Sequence, residues 1–111
     1  MIEFTLQVPN ELAERLQPLG PWLPTALELS LLRFRTRSAA TASEVLDFLA
    51  TNPTPQAVVD YHVSDEAQAR LRRLLALNNE GLLAEEEQRE LDELERLEHI
   101  LVMLKAALSA R

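Results

Sequence analysis

The amino-acid sequence predicts a mainly α-helical fold: one N-terminal strand and two helices that intertwine with a second copy, then short helices and a C-terminal antiparallel helical hairpin. Three observations carry this expectation. Leu, Ala and Glu dominate the composition and only two glycines occur in 111 residues, which favours helix. Residues 2–8 alternate strictly between apolar and polar side chains, the period of a half-buried strand. Near the other end Leu94, Leu97, Leu101, Leu104 and Leu108 recur in steps of three and four, the seam of a helical hairpin or coiled coil.

In the strand, Ile2, Phe4, Leu6 and Val8 form the apolar face, and Glu3, Thr5 and Gln7 the polar one. No second strand pattern follows. A lone strand leaves its backbone donors and acceptors unpaired, so its expected partner is the same strand of another copy. Beyond Pro9, the stretch 10–17 places Leu12, Ala13 and Leu16 at helical spacing, with Asn10 as a cap and Glu11 near the positive helix start. Pro18, Gly20 and Pro21 end it. A second helix is expected over 22–35, with Leu23, Leu27, Leu31 and Phe34 as one stripe and Leu29 and Leu32 off it. Apolar residues on more than one face suit a helix buried in an oligomer.

The Thr-, Ser- and Ala-rich residues 38–43 read as a linker. Thr41 followed by Glu44 matches a capping box, and Val45, Leu46, Phe48 and Leu49 supply the apolar side of a helix ended by Asn52 and Pro53. Thr54 and Pro55 start another short helix through Val58, Val59 and Tyr61. Ser64, with Asp65 and Glu66 behind it, opens a longer one, for which Asn79, Glu80 and Gly81 form the stop. The last helix begins near Ala84, and Leu91 and Ile100 support its seam. The resulting organisation is a dimerisation module at 1–37, a linker at 38–43 and an acidic helical partner-binding region at 44–111, with the hairpin at 64–110.

Composition narrows the function. The absence of cysteine rules out a disulfide framework and thiolate-bound metal. Two glycines leave no phosphate-cradling loop, and no serine stands in a nucleophile elbow. His99 lies four residues after Glu95, whereas a carboxylate-bundle metal motif needs Glu three before His, where Arg96 stands. A metal site from His62 and His99 is therefore not expected, nor is enzymatic activity or any cofactor. No signal-peptide pattern opens the chain, and the apolar run 100–104 is too short to span a bilayer, so a soluble cytoplasmic protein is expected.

The net charge of −7 is unevenly placed. Residues 1–40 carry four acids and four bases, and residues 41–111 fourteen acids against seven bases. The stretch 80–98 alone holds nine acids and two arginines. It reads as the solvated face of a helix whose first turn favours Glu85, Glu86 and Glu87, or else as a surface for a basic partner.

The strand with its two following helices has the order of a ribbon-helix-helix unit, in which paired strands enter the DNA major groove. On that reading Glu3, Thr5 and Gln7 face the bases, while Arg33, Arg35, Arg37 and the helix start near Thr25 hold phosphate. The alternative leaves the polar face in water and the arginines as a solvated helix end. Expected dimer or partner contacts are Ile2, Phe4, Leu6, Val8, Leu27, Leu31 and Phe34, with Leu94, Leu97, Leu101 and Leu104 from the hairpin.

From Thr41 onward the chain resembles a family of small bacterial proteins, common in cyanobacteria, that look like antitoxins paired with PIN-domain ribonuclease toxins. The resemblance rests on EVLDFLATNPTP (44–55), SDEAQARL (64–71), LLALNNEG (74–81) and ELDELERLEHI (90–100). It departs from the family at the last helix start, where Ala84 and Glu85 replace a Thr-Pro pair. The N-terminal segment is separately similar to ribbon-helix-helix antitoxins. The resemblance implies an N-terminal dimer that represses its own operon and a C-terminal part that binds and blocks a toxin. The alternative is a structural or adaptor helical oligomer that meets no DNA.

Overall fold

A computed structural model describes residues 2–110. Its elements are α1 (Asn10–Leu16), a 3-10 turn (Gln17–Trp22), α2 (Leu23–Leu31), α3 (Ser38–Leu49), α4 (Pro55–Asp60), α5 (Asp65–Asn79) and α6 (Glu85–Ser109). No strand forms among the described residues, which overturns the expected N-terminal strand and with it the ribbon-helix-helix unit. Residues 2–9 form an arm without regular structure. Alternation decides which side chains share a face, but a strand exists only where a second backbone completes the ladder, and none does so here.

The second correction concerns residues 38–43, which are the first half of α3 and not a linker. Thr41 lies buried inside that helix with Ser38 and Ala42, so it caps nothing. The early start has a tertiary cause: the Ser38 hydroxyl donates to Glu93 of α6 at 2.6 Å, and small side chains at 41 and 42 let the helix lie close to its neighbours. The second helix is also shorter than expected. It stops at Leu31, and Leu32 is extended with ψ 137°.

Asn10, expected as a cap, is instead the first residue of α1, whose N-cap is Pro9 with no side-chain bond, but the punctuation of α4, α5 and α6 follows the sequence. Thr54 and Ser64 cap α4 and α5 by accepting from Ala57 and Ala67 N–H groups at 3.1 and 3.2 Å. Gly81, at φ 69°, ends α5: its N–H reaches the Asn78 carbonyl at 3.0 Å and the Leu82 N–H reaches that of Leu77 at 2.9 Å, the two bonds of a Schellman motif. At the start of α6 the Glu87 carboxylate accepts from the Ala84 N–H at 3.0 Å, half of a capping box.

Two apolar clusters hold the helices. The larger joins Leu19 and Trp22 of the 3-10 turn, Ala26 and Leu29 of α2, Ala42, Val45 and Leu49 of α3, Val58 of α4, and Leu97 and Ile100 of α6. The smaller joins Leu74 of α5 to Leu91 and Leu94 of α6, with Leu71 and Leu83 at its edge. The turn α5–α6 thus makes the expected hairpin, but its long helix divides its apolar residues between two cores. Trp22 anchors the 3-10 turn by donating from Nε1 to the Pro53 carbonyl at 2.9 Å. Beside it Gly20 adopts φ 52° and ψ −128°, and a Cβ there would stand 2.8 Å from Asn52 Oδ1.

Candidate functional site

Three features remain after the core is accounted for. The first is the arm. Ile2, Phe4 and Leu6 are 82%, 86% and 70% exposed, although apolar side chains of this size are usually withdrawn from water. Val8 is half-buried, and α1 behind it has no buried residue. Glu3, Thr5 and Gln7 are exposed on the same arm and make no hydrogen bond or ion pair among the described residues.

The second feature is the connection 32–37 between α2 and α3. Exposure alternates along it: Leu32, Phe34 and Thr36 are half-buried, while Arg33, Arg35 and Arg37 are exposed. Its position is fixed from α6. Oε1 of Glu93 accepts from the Arg35 N–H at 3.0 Å, the Thr36 N–H at 3.2 Å, the Thr36 hydroxyl at 2.9 Å and the Ser38 hydroxyl at 2.6 Å. Burial pushes the Glu93 carboxyl up, but the hydroxyl and backbone donors outweigh burial and hold it below the ordinary glutamate value. The clamp turns the three guanidinium groups outward, and none forms an ion pair among the described residues. Next to them on α2, Leu27 is half-exposed and Leu31 is 82% exposed.

The third feature is an open apolar groove of 280 Å³ between α5 and α6, walled by Leu71, Leu94, Leu97, Leu101, Val102 and Lys105. The Lys105 ammonium donates to the Tyr61 carbonyl, and Tyr61 stacks on Phe48 with ring centroids 4.2 Å apart. Burial and the neighbouring Glu44 raise the Tyr61 hydroxyl above its usual value, so the phenol stays neutral.

These positions redistribute the residues singled out in the sequence. Ile2, Phe4, Leu6, Leu27 and Leu31 are exposed apolar residues, whereas Phe34 packs against the larger core. Leu94 and Leu97 are buried, and Leu101 and Leu104 are half-buried against α2–α4. Thr25 is half-buried and lines a shallow cleft with His99 of α6. His62 lines the α5–α6 groove instead. Two acids of the run 80–98 face inward: Glu93, and Glu90, which accepts from Arg70 Nε and Nη2 at 2.7 and 2.8 Å. The Arg70 bond holds the Glu90 carboxyl below its ordinary value and raises the Arg70 guanidinium. Sequence reasoning passed over the Glu93 clamp because its donors lie more than fifty residues away. The α5–α6 groove was equally hidden, since it depends on how Ala67 and Leu71 face α6.

No helix among the described residues is long and apolar enough to cross a membrane. Fold and site together define a small all-helical protein with an exposed apolar arm and an arginine-bearing edge. Compared with family models, curated proteins and solved structures, the chain matches none.

Proposed function

We propose that this chain is a non-catalytic, antitoxin-like binding protein that self-associates and holds a protein partner, a PIN-type ribonuclease in the reading that the sequence resemblance favours. One observation carries the proposal: Leu27 and Leu31, one turn apart on α2, stand exposed just before a connection that turns Arg33, Arg35 and Arg37 to solvent, while Ile2, Phe4 and Leu6 are exposed on the arm. Contiguous exposed apolar surface with a polar rim marks interaction sites. The partner lies on the outer face of α2, with Leu27 and Leu31 buried against it and Arg33, Arg35 and Arg37 at the rim. The leucine seam of α6, engaged in the two cores, is not the capture surface in this reading. Operator DNA, if held, is held weakly by the same arginines, against a net charge of −7, and retardation of promoter DNA is expected to vanish between about 50 and 200 mM salt.

The test is co-purification of tagged protein from its native host, with mass-spectrometric identification of what remains bound. A stoichiometric small ribonuclease, retained by the native protein and lost by Leu31→Asp, supports the proposal. Recovery of the tagged protein alone across growth conditions rejects capture and leaves a structural oligomer, a reading that the prefolded α5–α6 hairpin favours.

A further inference from the structure

We infer that Glu93 is a positioning residue for the proposed partner site: from beneath the surface it holds the 32–37 connection in the form that presents Arg33 and Arg35 together, and so sets how tightly the partner is held. The inference rests on the proposed capture by the outer face of α2 and names what fixes that site. Glu93 is only 7% exposed, so it acts through the connection and not by contact with a partner.

The connection has little else to hold it. Residues 33–35 have no regular structure, and among the described residues no N–H of 33–36 donates to a backbone carbonyl. Two of those four N–H groups, those of Arg35 and Thr36, donate to Oε1 of Glu93. The Thr36 and Ser38 hydroxyls donate there too, which ties the last residues of the connection to the first of α3. Upstream the fastening is apolar, because Leu32 and Phe34 pack against the larger core. Arg33 therefore lies between two apolar anchors, and Arg35 between Phe34 and the clamp. This alternation keeps both arginines on one side, and it survives only while residues 35 and 36 stay tied. Without the carboxylate, the Arg35 and Thr36 N–H groups turn to water and the end of the connection is free to move. A partner must then order Arg35 as it binds, which weakens binding. Glu93 makes that ordering part of folding. Conversely, a partner that grips Arg35 in its native place tightens the clamp, because the two events are linked.

The probe is the small ribonuclease that the native chain retains from its host, purified and titrated against variants of the full chain. Glu93→Gln is expected to weaken binding about tenfold, and Glu93→Ala at least as much. Circular dichroism establishes that each variant is folded under the titration conditions, and Glu93→Gln, which keeps the size of the side chain, serves alone if Glu93→Ala does not fold. A double-mutant cycle separates positioning from stability. In a chain already carrying Arg33→Ala and Arg35→Ala, Glu93→Gln is expected to weaken binding less than about twofold, because the groups it positions are gone, whereas beside Leu27→Ala its full effect remains. Hydrogen exchange at the Arg35 and Thr36 amides is expected to quicken in free Glu93→Gln, and to slow in the native chain when the ribonuclease binds. An equal loss in both backgrounds overturns the inference, as does native affinity or unchanged exchange in a folded Glu93→Gln chain. In those cases capture by the α2 face, lost with Leu31→Asp, still stands. If the native chain retains no ribonuclease, the proposed capture fails and the inference with it.

Discussion

A single carboxylate oxygen organises the site. Glu93 is only 7% exposed, and its Oε1 receives four donors from residues 35, 36 and 38. Glu93→Ala strands those donors where water reaches them poorly, and a loss on the order of 3 kcal/mol is expected, measurable by urea unfolding at neutral pH. Acid acts on the same group. Because the folded-state values of Glu93 and Glu90 both lie below the ordinary one, the stability they contribute is complete above the unfolded glutamate value. It is lost as pH falls through their folded values. Glu93→Gln removes part of that dependence, so its stability curve is flatter below about pH 4.3 than that of the native chain. The two glycines offer a second comparison. A Cβ at Gly81 meets nothing within 4 Å, so Gly81→Ala costs only its left-handed backbone, about 1 kcal/mol. Gly20→Ala adds the 2.8 Å collision with Asn52 to a φ/ψ pair that only glycine adopts readily, and costs roughly 1–3 kcal/mol. Equal losses in thermal or urea unfolding contradict the seat of the 3-10 turn on Asn52 and Pro53.

Among the elements, those delimited by their own residues were legible from sequence. Thr54 and Ser64 announce α4 and α5 because a cap is a local bond to an N–H three residues on, and Gly81 announces a stop because its φ is a local requirement. Where a boundary depends on a distant group, the pattern misleads. Nothing near Ser38 says that α3 begins there, since the reason stands on α6 as Glu93. The 38–43 stretch therefore resembled a linker. The arm shows the converse error: its alternation is real, but pairing is a property of two backbones and not of one sequence. In the candidate site, exposure at Ile2, Phe4, Leu6, Leu27 and Leu31 lay in positions named from sequence as contacts. The groove that faces Lys105 needed three elements to be placed first. Hairpin α5–α6 was legible as a pair but not as a dependent one, because Leu97 and Ile100 belong to a core made with α2–α4. A fragment of residues 64–111 is therefore expected to melt broadly and without cooperativity by circular dichroism, since Leu74, Leu91 and Leu94 alone bury too little surface. A sharp transition like that of the full chain contradicts the division of α6 between two cores.

The whole molecule is drawn out for its length. Its radius of gyration is 15.7 Å and its extents 48 × 31 × 27 Å, against about 13 Å for a compact chain of this size. The arm and α1 add length and little core, because α1 has no fully buried residue, packs on the 3-10 turn and gives the larger cluster only half-buried Leu16. Removing residues 2–8 should therefore leave the monomer's stability nearly intact while abolishing association. The two effects separate by mass action: a dimer melts at a temperature that rises with protein concentration, whereas a monomer does not. The native chain is expected to show that rise and the shortened chain to lack it, with the two converging at the lowest concentrations measurable by scanning calorimetry. Salt distinguishes the forces. Where the exposed Ile2, Phe4 and Leu6 hold the copies together, apolar burial dominates and screening touches little of it. Dimerisation is then expected to weaken less than tenfold between about 50 and 500 mM salt, while contacts made by Arg33, Arg35 and Arg37 weaken much more. If the dimer proves as salt-sensitive as partner binding, charge and not the arm's apolar face holds the copies together, and the concentration-dependent melting of the shortened chain would persist.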